Sequence, residues 1–336
     1  MKKALRVGLI GTGYIADFHA VGLAEQADVE LAAIANRGAE KGRRFAARHG
    51  VPKTYATAAE LIADRSIEAV ILSVPNVYHR EYAINALKAG KHVFVEKPMA
   101  CSTGEALEMA EAAERAGVRL MVGHMWRFDR EARYLHKRVA EGELGRVFRT
   151  TAYGIHAHWG PGGWFVDPAL ACGGALADMG VHAIDTTRYL LGDPEPSQVY
   201  AKVQSNLGKT TLDDTAVVMV EWSSGVSSIV ESGWWQPHMD GPEASAKLYG
   251  TEGFAVLFPT SIKKRTDRGE VVTSPEFPPR MGHCDQHMYT EQMAEFVQAV
   301  REEREPVPGA REGIVNMRIL DAAYESSRTR RVVYID

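Results

Sequence analysis

The chain has 336 residues, long enough for two domains that each bury a core. Hydrophobic residues make up 45% and charged residues 24%, an ordinary globular balance, and a formal net charge of -4 without a basic stripe argues against a nucleic-acid partner. No apolar stretch reaches the ~18 residues of a membrane span, so the expectation is a cytoplasmic protein with no membrane partner.

The apolar run after Met1-Lys2-Lys3 is short and breaks at Gly11-Thr12-Gly13, so it reads as a first strand, 4–10, rather than a leader. Strands are then expected at 29–35, 68–74, 92–95 and 119–122, alternating with helices at 14–25, 39–49, 77–89 and 103–116. Thr57 caps a short helix ending near residue 64, and Ser102 or Thr103 caps the helix that stops at Gly117. This alternation implies a parallel sheet covered on both faces. The rhythm changes after Gly123. A helix at 129–141, a strand at 147–153, a Gly-rich loop at 160–163 and a helix at 175–191 come first. Strand-like segments follow at 198–203, 215–222, 226–231, 246–249 and 254–258, joined by short turns that indicate antiparallel pairing. Helices at 286–301 and 311–327 and a strand at 332–335 end the chain. The fold class is α/β, with a dinucleotide-binding Rossmann domain at 1–124 and a second α/β domain at 125–336. Cys101, Cys172 and Cys284 lie too far apart to form a metal knuckle.

Gly11-Thr12-Gly13-Tyr14-Ile15-Ala16 fits G-x-G-x-x-G/A between a strand and a helix. Gly11 permits the tight turn, Gly13 lets the backbone approach a pyrophosphate, and Ala16 allows close helix–strand packing. The amides at the helix start then face the phosphate charge. About 20 residues on, where an acidic residue would bind a ribose 2′-hydroxyl, stand Asn36 and Arg37. Asparagine does not repel a 2′-phosphate and Arg37 can pair with one, so NADP is favoured over NAD. Lys97, at the end of the buried strand 92–95, is a candidate proton shuttle.

The fingerprint, Ser73-Val74-Pro75-Asn76 with His79, Glu96-Lys97-Pro98, and Gly173-Gly174-Ala175-Leu176-Ala177-Asp178-Met179-Gly180-Val181-His182-Ala183-Ile184-Asp185 together resemble one family. It is the glucose-fructose oxidoreductase / inositol dehydrogenase / rhizopine catabolism (Gfo/Idh/MocA) family of NAD(P)-dependent oxidoreductases. The likeness reaches Tyr289, Phe296, Pro306 and Gly313, so it covers nearly the whole chain. The resemblance implies that the second domain carries an open-faced, mainly antiparallel sheet and that the protein is a homodimer or homotetramer. It implies hydride transfer between a secondary alcohol of a sugar or cyclitol and the nicotinamide. Ser73, Pro75, Asn76, His79, Glu96 and Lys97 would join Gly11, Thr12, Gly13, Tyr14, Ile15, Asn36 and Arg37 in holding the cofactor. Lys97 corresponds to the family's lysine, and Asp178 and His182 to its polar pair. Pro98 would be cis, which helps to aim Lys97.

Oxidising a secondary alcohol also requires that a proton leave the hydroxyl to a base within hydrogen-bond reach. Asp178 and His182 are four residues apart and share one helix face, with Asp185 near it. Histidine suits the acid/base role, Lys97 the polarising or relaying role, and Asp178 the role of substrate binder or orienter. Members with a tyrosine in the acid/base role differ from this chain. His124, Trp126 and Arg127 follow the last Rossmann strand, without the proline that the family often places nearby, and Arg127 could equally brace the domain interface. His156, His158, Trp159, Trp164 and Phe165 flank the Gly-rich loop and suit a polyol pocket. The expected substrate contacts are Lys97, His124, Arg127, His156, Trp164, Asp178 and His182. Trp234, Trp235 and His238 serve the pocket or, slightly favoured for the two tryptophans, an oligomer interface, and His283 or His287 could reach the substrate. His156-Ala157-His158 has strand spacing for a metal, but hydride transfer needs none and none is expected. The alternatives are a non-catalytic dinucleotide- or sugar-sensing regulator on the same fold, and a keto-sugar reductase in biosynthesis.

Overall fold

Four of the six residues of β1 (Leu5–Ile10) are fully buried, as a strand covered on both faces requires. The structure is a computed structural model and describes residues 4–237, 239, 241–279 and 284–335. His238 and His283 lie outside the described residues. β1 pairs in parallel with β2 (Val29–Ala35) and β4 (Ala69–Leu72). β3 (Lys53–Tyr55), β5 (His92–Glu96) and β6 (Leu120–Gly123) complete a parallel sheet in the order β3-β2-β1-β4-β5-β6. The connecting helices are α1 (Tyr14–Ala24), α2 (Ala39–His49), α3 (Ala58–Ala63), α4 (His79–Lys88) and α5 (Thr103–Ala116). Their ends follow local chemistry. Thr57 and Glu60 form a reciprocal capping box on α3, Ser102 caps α5, and Gly50 and Gly117 end α2 and α5 in the left-handed conformation.

The second sheet joins nine described strands in the order β14-β13-β12-β11-β7-β10-β9-β8-β15. They are β7 (Val147–Ala157), β8 (Pro196–Gln204), β9 (Thr215–Trp222), β10 (Ser227–Gln236), β11 (Ala244–Gly250), β12 (Gly253–Leu257), β13 (Ser261–Thr266), β14 (Gly269–Thr273) and β15 (Val333–Tyr334). β7 and β10 are parallel and the other pairs antiparallel. With them go α6 (Arg130–Ala140), the short α7 (Pro168–Ala171) and α8 (Val181–Leu190), which packs on β7, β10 and β11. A row of exposed apolar side chains, Tyr200, Met219 and Ile229, runs across β8, β9 and β10 as direct cross-strand partners. The expected helix over 175–191 is α8 preceded by a π-helical turn, Leu176–Gly180. Its packing explains the wider turn. A Cβ on Gly154 of β7 would lie 2.5 Å from the Met179 carbonyl oxygen, and one on Gly180 would lie 2.7 Å from Leu176 Cδ1. Backbone meets backbone at Gly154, while at Gly180 the close neighbours are the side chains of Leu176 and Ser232.

The chain forms two compact units, 1–128 with 284–314, and 129–283 with 315–336. The expected division at 124 therefore misses a return. α9 (Gln286–Arg301) belongs to the first unit and packs along α1, where a Cβ on Gly22 would lie 3.0 Å from the Tyr289 carbonyl oxygen. Residues leading into α10 (Ala310–Thr329) also cover the edge of the first sheet, with Val122 N donating to Pro308 O at 3.1 Å. The pattern of α1 shows that it is apolar, but not which distant segment covers it. Among the described residues no helix is long and apolar enough to cross a membrane.

Candidate active site

β1 and β4 are neighbours, yet one leads to β2 and the other to β5, so their carboxyl ends border the crevice where open α/β sheets take ligands. Gly11 makes the turn after β1 with φ +96°, and a Cβ there would lie 1.9 Å from the Ser73 carbonyl oxygen. Ser73 N donates to Ile10 O at 2.9 Å, while half-buried Pro75 and buried Asn76 continue the loop after β4. Gly13 caps α1 without a side-chain bond, and the space a Cβ would enter holds nothing within 4 Å. Room for a close backbone approach is what a pyrophosphate needs, so the loop fits a dinucleotide. Tyr14 is exposed and Ile15 half-buried beside it. Thr12 Oγ1 donates to Asn36 Oδ1 at 2.9 Å, and Asn36 Nδ2 donates to Gly38 O at 2.9 Å. Asn36 thus braces the fingerprint turn. The exposed Arg37 guanidinium lies 5.4 Å from the Tyr78 ring centroid, with Nη1 3.5 Å from the phenol oxygen. Gly11→Ala combines an unfavourable φ with a clash against fixed backbone, so it should cost more than about 2 kcal/mol and weaken cofactor binding. Thermal denaturation and a cofactor titration check it; an unchanged midpoint would show that the turn can shift freely.

At the end of β5 the Glu96 carboxylate turns inward. Its Oε1 lies 2.6 Å from Nε2 of His19, a fully buried residue of α1 whose Nδ1 has no hydrogen-bond partner. Phe94 and Tyr289 meet the His19 ring edge-on at 5.0 and 5.5 Å. Burial works against the Glu96 charge, but the His19 bond and the positive charges of His19 and Lys97 outweigh it and hold its pKa below the usual range. Gly123 leaves space for this carboxylate, since a Cβ would come within 2.9 Å of Oε2. Lys97 follows, half-buried, with its backbone N–H 3.3 Å from Glu96 Oε2 and a cis peptide to Pro98. His79, expected among the residues that hold the cofactor, lies behind the loop after β4. It is fully buried, with Nδ1 2.9 Å from Pro98 O and Nε2 3.0 Å from Val74 O. Both ring nitrogens are engaged by backbone, and burial lowers the ring's pKa. His79 ties the Lys97-Pro98 turn to the loop after β4. His124 and Arg127, at the carboxyl end of β6, are buried at 2% and 3% exposure.

In the second unit, Asp178 stands on the π-helical turn and accepts from Trp234 Nε1 at 2.9 Å. π-helical turns recur at functional sites because they re-aim side chains without ending a helix. His156, on the extension of β7, sets Nε2 3.8 Å from Asp178 Oδ2 and Nδ1 3.2 Å from Glu243 Oε2. The Trp159 indole N–H donates to the other oxygen of Glu243, and its ring lies 3.8 Å from the His156 ring. His182, buried, follows in the first turn of α8. Asp185 is engaged elsewhere, accepting from Asn316 Nδ2 at 2.9 Å. Trp164 stacks on Phe165 at 3.9 Å, and no described contact joins it to Asp178.

Trp234 corrects the interface reading, being fully buried with its N–H on Asp178. Trp235 instead faces Gly160, where a Cβ would come within 2.5 Å of its ring. His158 leaves the strand geometry, with φ +64°, so it does not share a face with His156. Three residues escape sequence reasoning. His19 has no motif around it that names Glu96 as its partner. Glu243 is one acid in a turn before β11. Asp213 is buried and accepts from Gly174 N at 2.8 Å, Leu176 N at 2.7 Å and Tyr324 Oη at 2.9 Å, holding the loop that enters the Asp178 turn. Burial raises its pKa against those bonds.

A parallel sheet in this order, a glycine turn at its switch point and a lysine-bearing strand end define an α/β oxidoreductase of the dinucleotide-binding class. Residues 5–124 match the family profile described as "Oxidoreductase family, NAD-binding Rossmann fold", and residues 132–256 match the "GFO/IDH/MocA C-terminal domain". A 1,5-anhydro-D-fructose reductase of Ensifer adhaerens is 32% identical over 74% of this chain and 74% of its own length. A D-xylose 1-dehydrogenase (NADP(+)) 2 of Haloferax volcanii is 30% identical over 98% of this chain and 99% of its own. The solved structure of a levoglucosan dehydrogenase in complex with NADH and levoglucosan superposes with a TM-score of 0.91 at 25% identity, covering 99% of this chain and 100% of that one. The chain belongs to the Gfo/Idh/MocA family of oxidoreductases.

Proposed function

We propose that the protein is an NAD(P)-dependent dehydrogenase that moves a hydride between a secondary alcohol of a sugar or cyclitol and the nicotinamide. The observation that carries this reading is the Asp178 carboxylate, fixed by the Trp234 indole on a turn that runs directly into His182. The names of the relatives, which act on a xylose, an anhydrofructose and levoglucosan, support the substrate class. When bound, the nicotinamide accepts or returns the hydride. His182 takes the hydroxyl proton and gives it back, Asp178 holds the substrate hydroxyl or the imidazole in place, and Lys97 polarises the reacting oxygen or relays the proton. Gly11, Thr12, Gly13, Tyr14 and Ile15 hold the pyrophosphate side of the cofactor, and Ser73, Pro75 and Asn76 line the loop beside it. The decisive assay follows absorbance of the reduced cofactor with a panel of sugars and polyols; binding without turnover would favour a sensor instead.

NADP is the preferred cofactor in this reading. No carboxylate stands at the end of β2 to repel a 2′-phosphate, and Arg37 is held over Tyr78 with its guanidinium exposed. Arg37→Asp should raise KM for NADP by about a hundredfold, the loss of a charge-assisted contact plus repulsion, and leave KM for NAD within about threefold. Equal effects on both cofactors would remove Arg37 from 2′-phosphate recognition. The exposed apolar row Tyr200, Met219 and Ile229 supports assembly into a homodimer or homotetramer through the second sheet.

A further inference from the structure

Glu243 bonds two side chains near Asp178, Trp159 and His156, without any motif to announce it. One carboxylate oxygen accepts from the Trp159 indole and the other meets His156 Nδ1 at 3.2 Å. The imidazole then leads to Asp178 Oδ2 at 3.8 Å. A continuous line of contacts therefore runs from an exposed indole to the carboxylate beside His182. Trp159 is 47% exposed, whereas the His156 side chain is 5% exposed, so the indole offers a face and the imidazole does not.

The loop that carries Trp159 is pinned on both sides. Trp235 N donates to Trp159 O at 2.7 Å and His158 N donates to Gln236 O at 3.0 Å. Both His158 and Trp235 adopt left-handed backbone, at φ +64° and +55°, where bulky residues are rarely found. Such conformations persist where the surroundings over-determine them, and they gather at binding sites. Trp159 is thus set before a ligand arrives.

The chemistry of this group is selective. An exposed indole packs against the C–H face of a saturated ring. Carboxylates accept hydrogen bonds and donate none, so Asp178 calls for a hydroxyl donor from the ligand, while Glu243 engages its two oxygens with Trp159 and His156 and adds negative charge nearby. A carboxylate or phosphate on the sugar would bring acceptors and like charge to both of them. We propose that Glu243 sets the substrate specificity of this protein: it fixes Trp159 and His156 as a platform for an uncharged sugar or polyol ring, and it turns away sugar acids and sugar phosphates. The proposal rests on the dehydrogenase reading above. Glu243 acts through Trp159 and His156 and is a positioning residue.

The test compares kcat and KM of the full chain for neutral hexoses and polyols with those for the matching uronic acids and hexose 6-phosphates, in wild type and in Glu243→Gln. Wild type should prefer the neutral sugar. In Glu243→Gln, KM for it should rise about tenfold while kcat changes by less than about threefold, and the neutral-over-acid ratio of kcat/KM should fall about tenfold. A merely structural role would lower kcat for both classes together. Trp159→Phe, a change at an exposed residue, keeps the ring but removes the N–H donor, and should raise KM for neutral sugars about fivefold even if Glu243→Gln folds poorly. A neutral-over-acid ratio within about twofold of wild type in both variants overturns the proposal and leaves the dehydrogenase reading intact. A wild-type protein that turns over no sugar or polyol with either cofactor defeats that reading and this proposal with it.

Discussion

Lys97→Ala should lower kcat by about a thousandfold while the dissociation constant for the reduced cofactor stays within about threefold of wild type. The turn that carries the lysine is held by other groups. Its N–H meets Glu96, the Pro98 carbonyl meets His79, and β5 is buried between β4 and β6. Truncating the side chain therefore leaves the backbone turn held, while it removes the amine and the positive charge that it places near Glu96. If Lys97 polarises the oxygen that loses its proton, that stabilisation is present only as charge develops, so the loss falls on kcat. Fluorescence titration of the reduced cofactor and steady-state kinetics on the same preparation check both halves. Near-normal kcat would dismiss Lys97 from the chemistry, and loss of cofactor binding would recast it as a binding residue.

Glu96→Gln should destabilise the first unit by about 3 kcal/mol near neutral pH, because breaking a buried pair leaves its partner uncompensated. His19 is fully buried and its second nitrogen has no partner, so no other bond takes over. The pH dependence has a definite sign. The folded-state pKa of Glu96 lies below its ordinary 4.5, so the unfolded chain binds the proton more readily. The stabilisation is complete above that ordinary value and is lost as pH falls through the folded one. The penalty of Glu96→Gln should therefore be full at neutral pH and fade in acid. Denaturation midpoints of wild type and variant across the acid range measure it. A penalty that does not change with pH would mean that shape, not charge, holds the pair.

Much of the first unit was legible because strands buried on both faces read as unbroken apolar runs, and their helices stop at Gly50 and Gly117. β3 is too short to carry a pattern, and the polar β13, with Lys263, Lys264 and Arg265, and the wholly exposed β14 bury no regular face. The motifs drew attention to Gly11, Lys97, Asp178 and His182 because each sits in a recognisable local string. Glu243, Trp234 and His19 matter through partners far away in the chain, and spacing carries no trace of such pairs. The π-helical turn was equally hidden, since its cause is the closeness of Gly154 to Met179 rather than anything in its own five residues.

The return of residues 284–314 to the first unit has a consequence for synthesis. α9 and the segment that covers β6 are made after the whole second sheet except β15. While the ribosome is still extending the chain, the nascent dinucleotide-binding unit lacks its cover over α1 and over the Val122 edge. It must wait as an incomplete, sticky intermediate until nearly the last helix emerges. A fragment ending at residue 128 should be insoluble for the same reason, and supplying 284–314 in trans should rescue it.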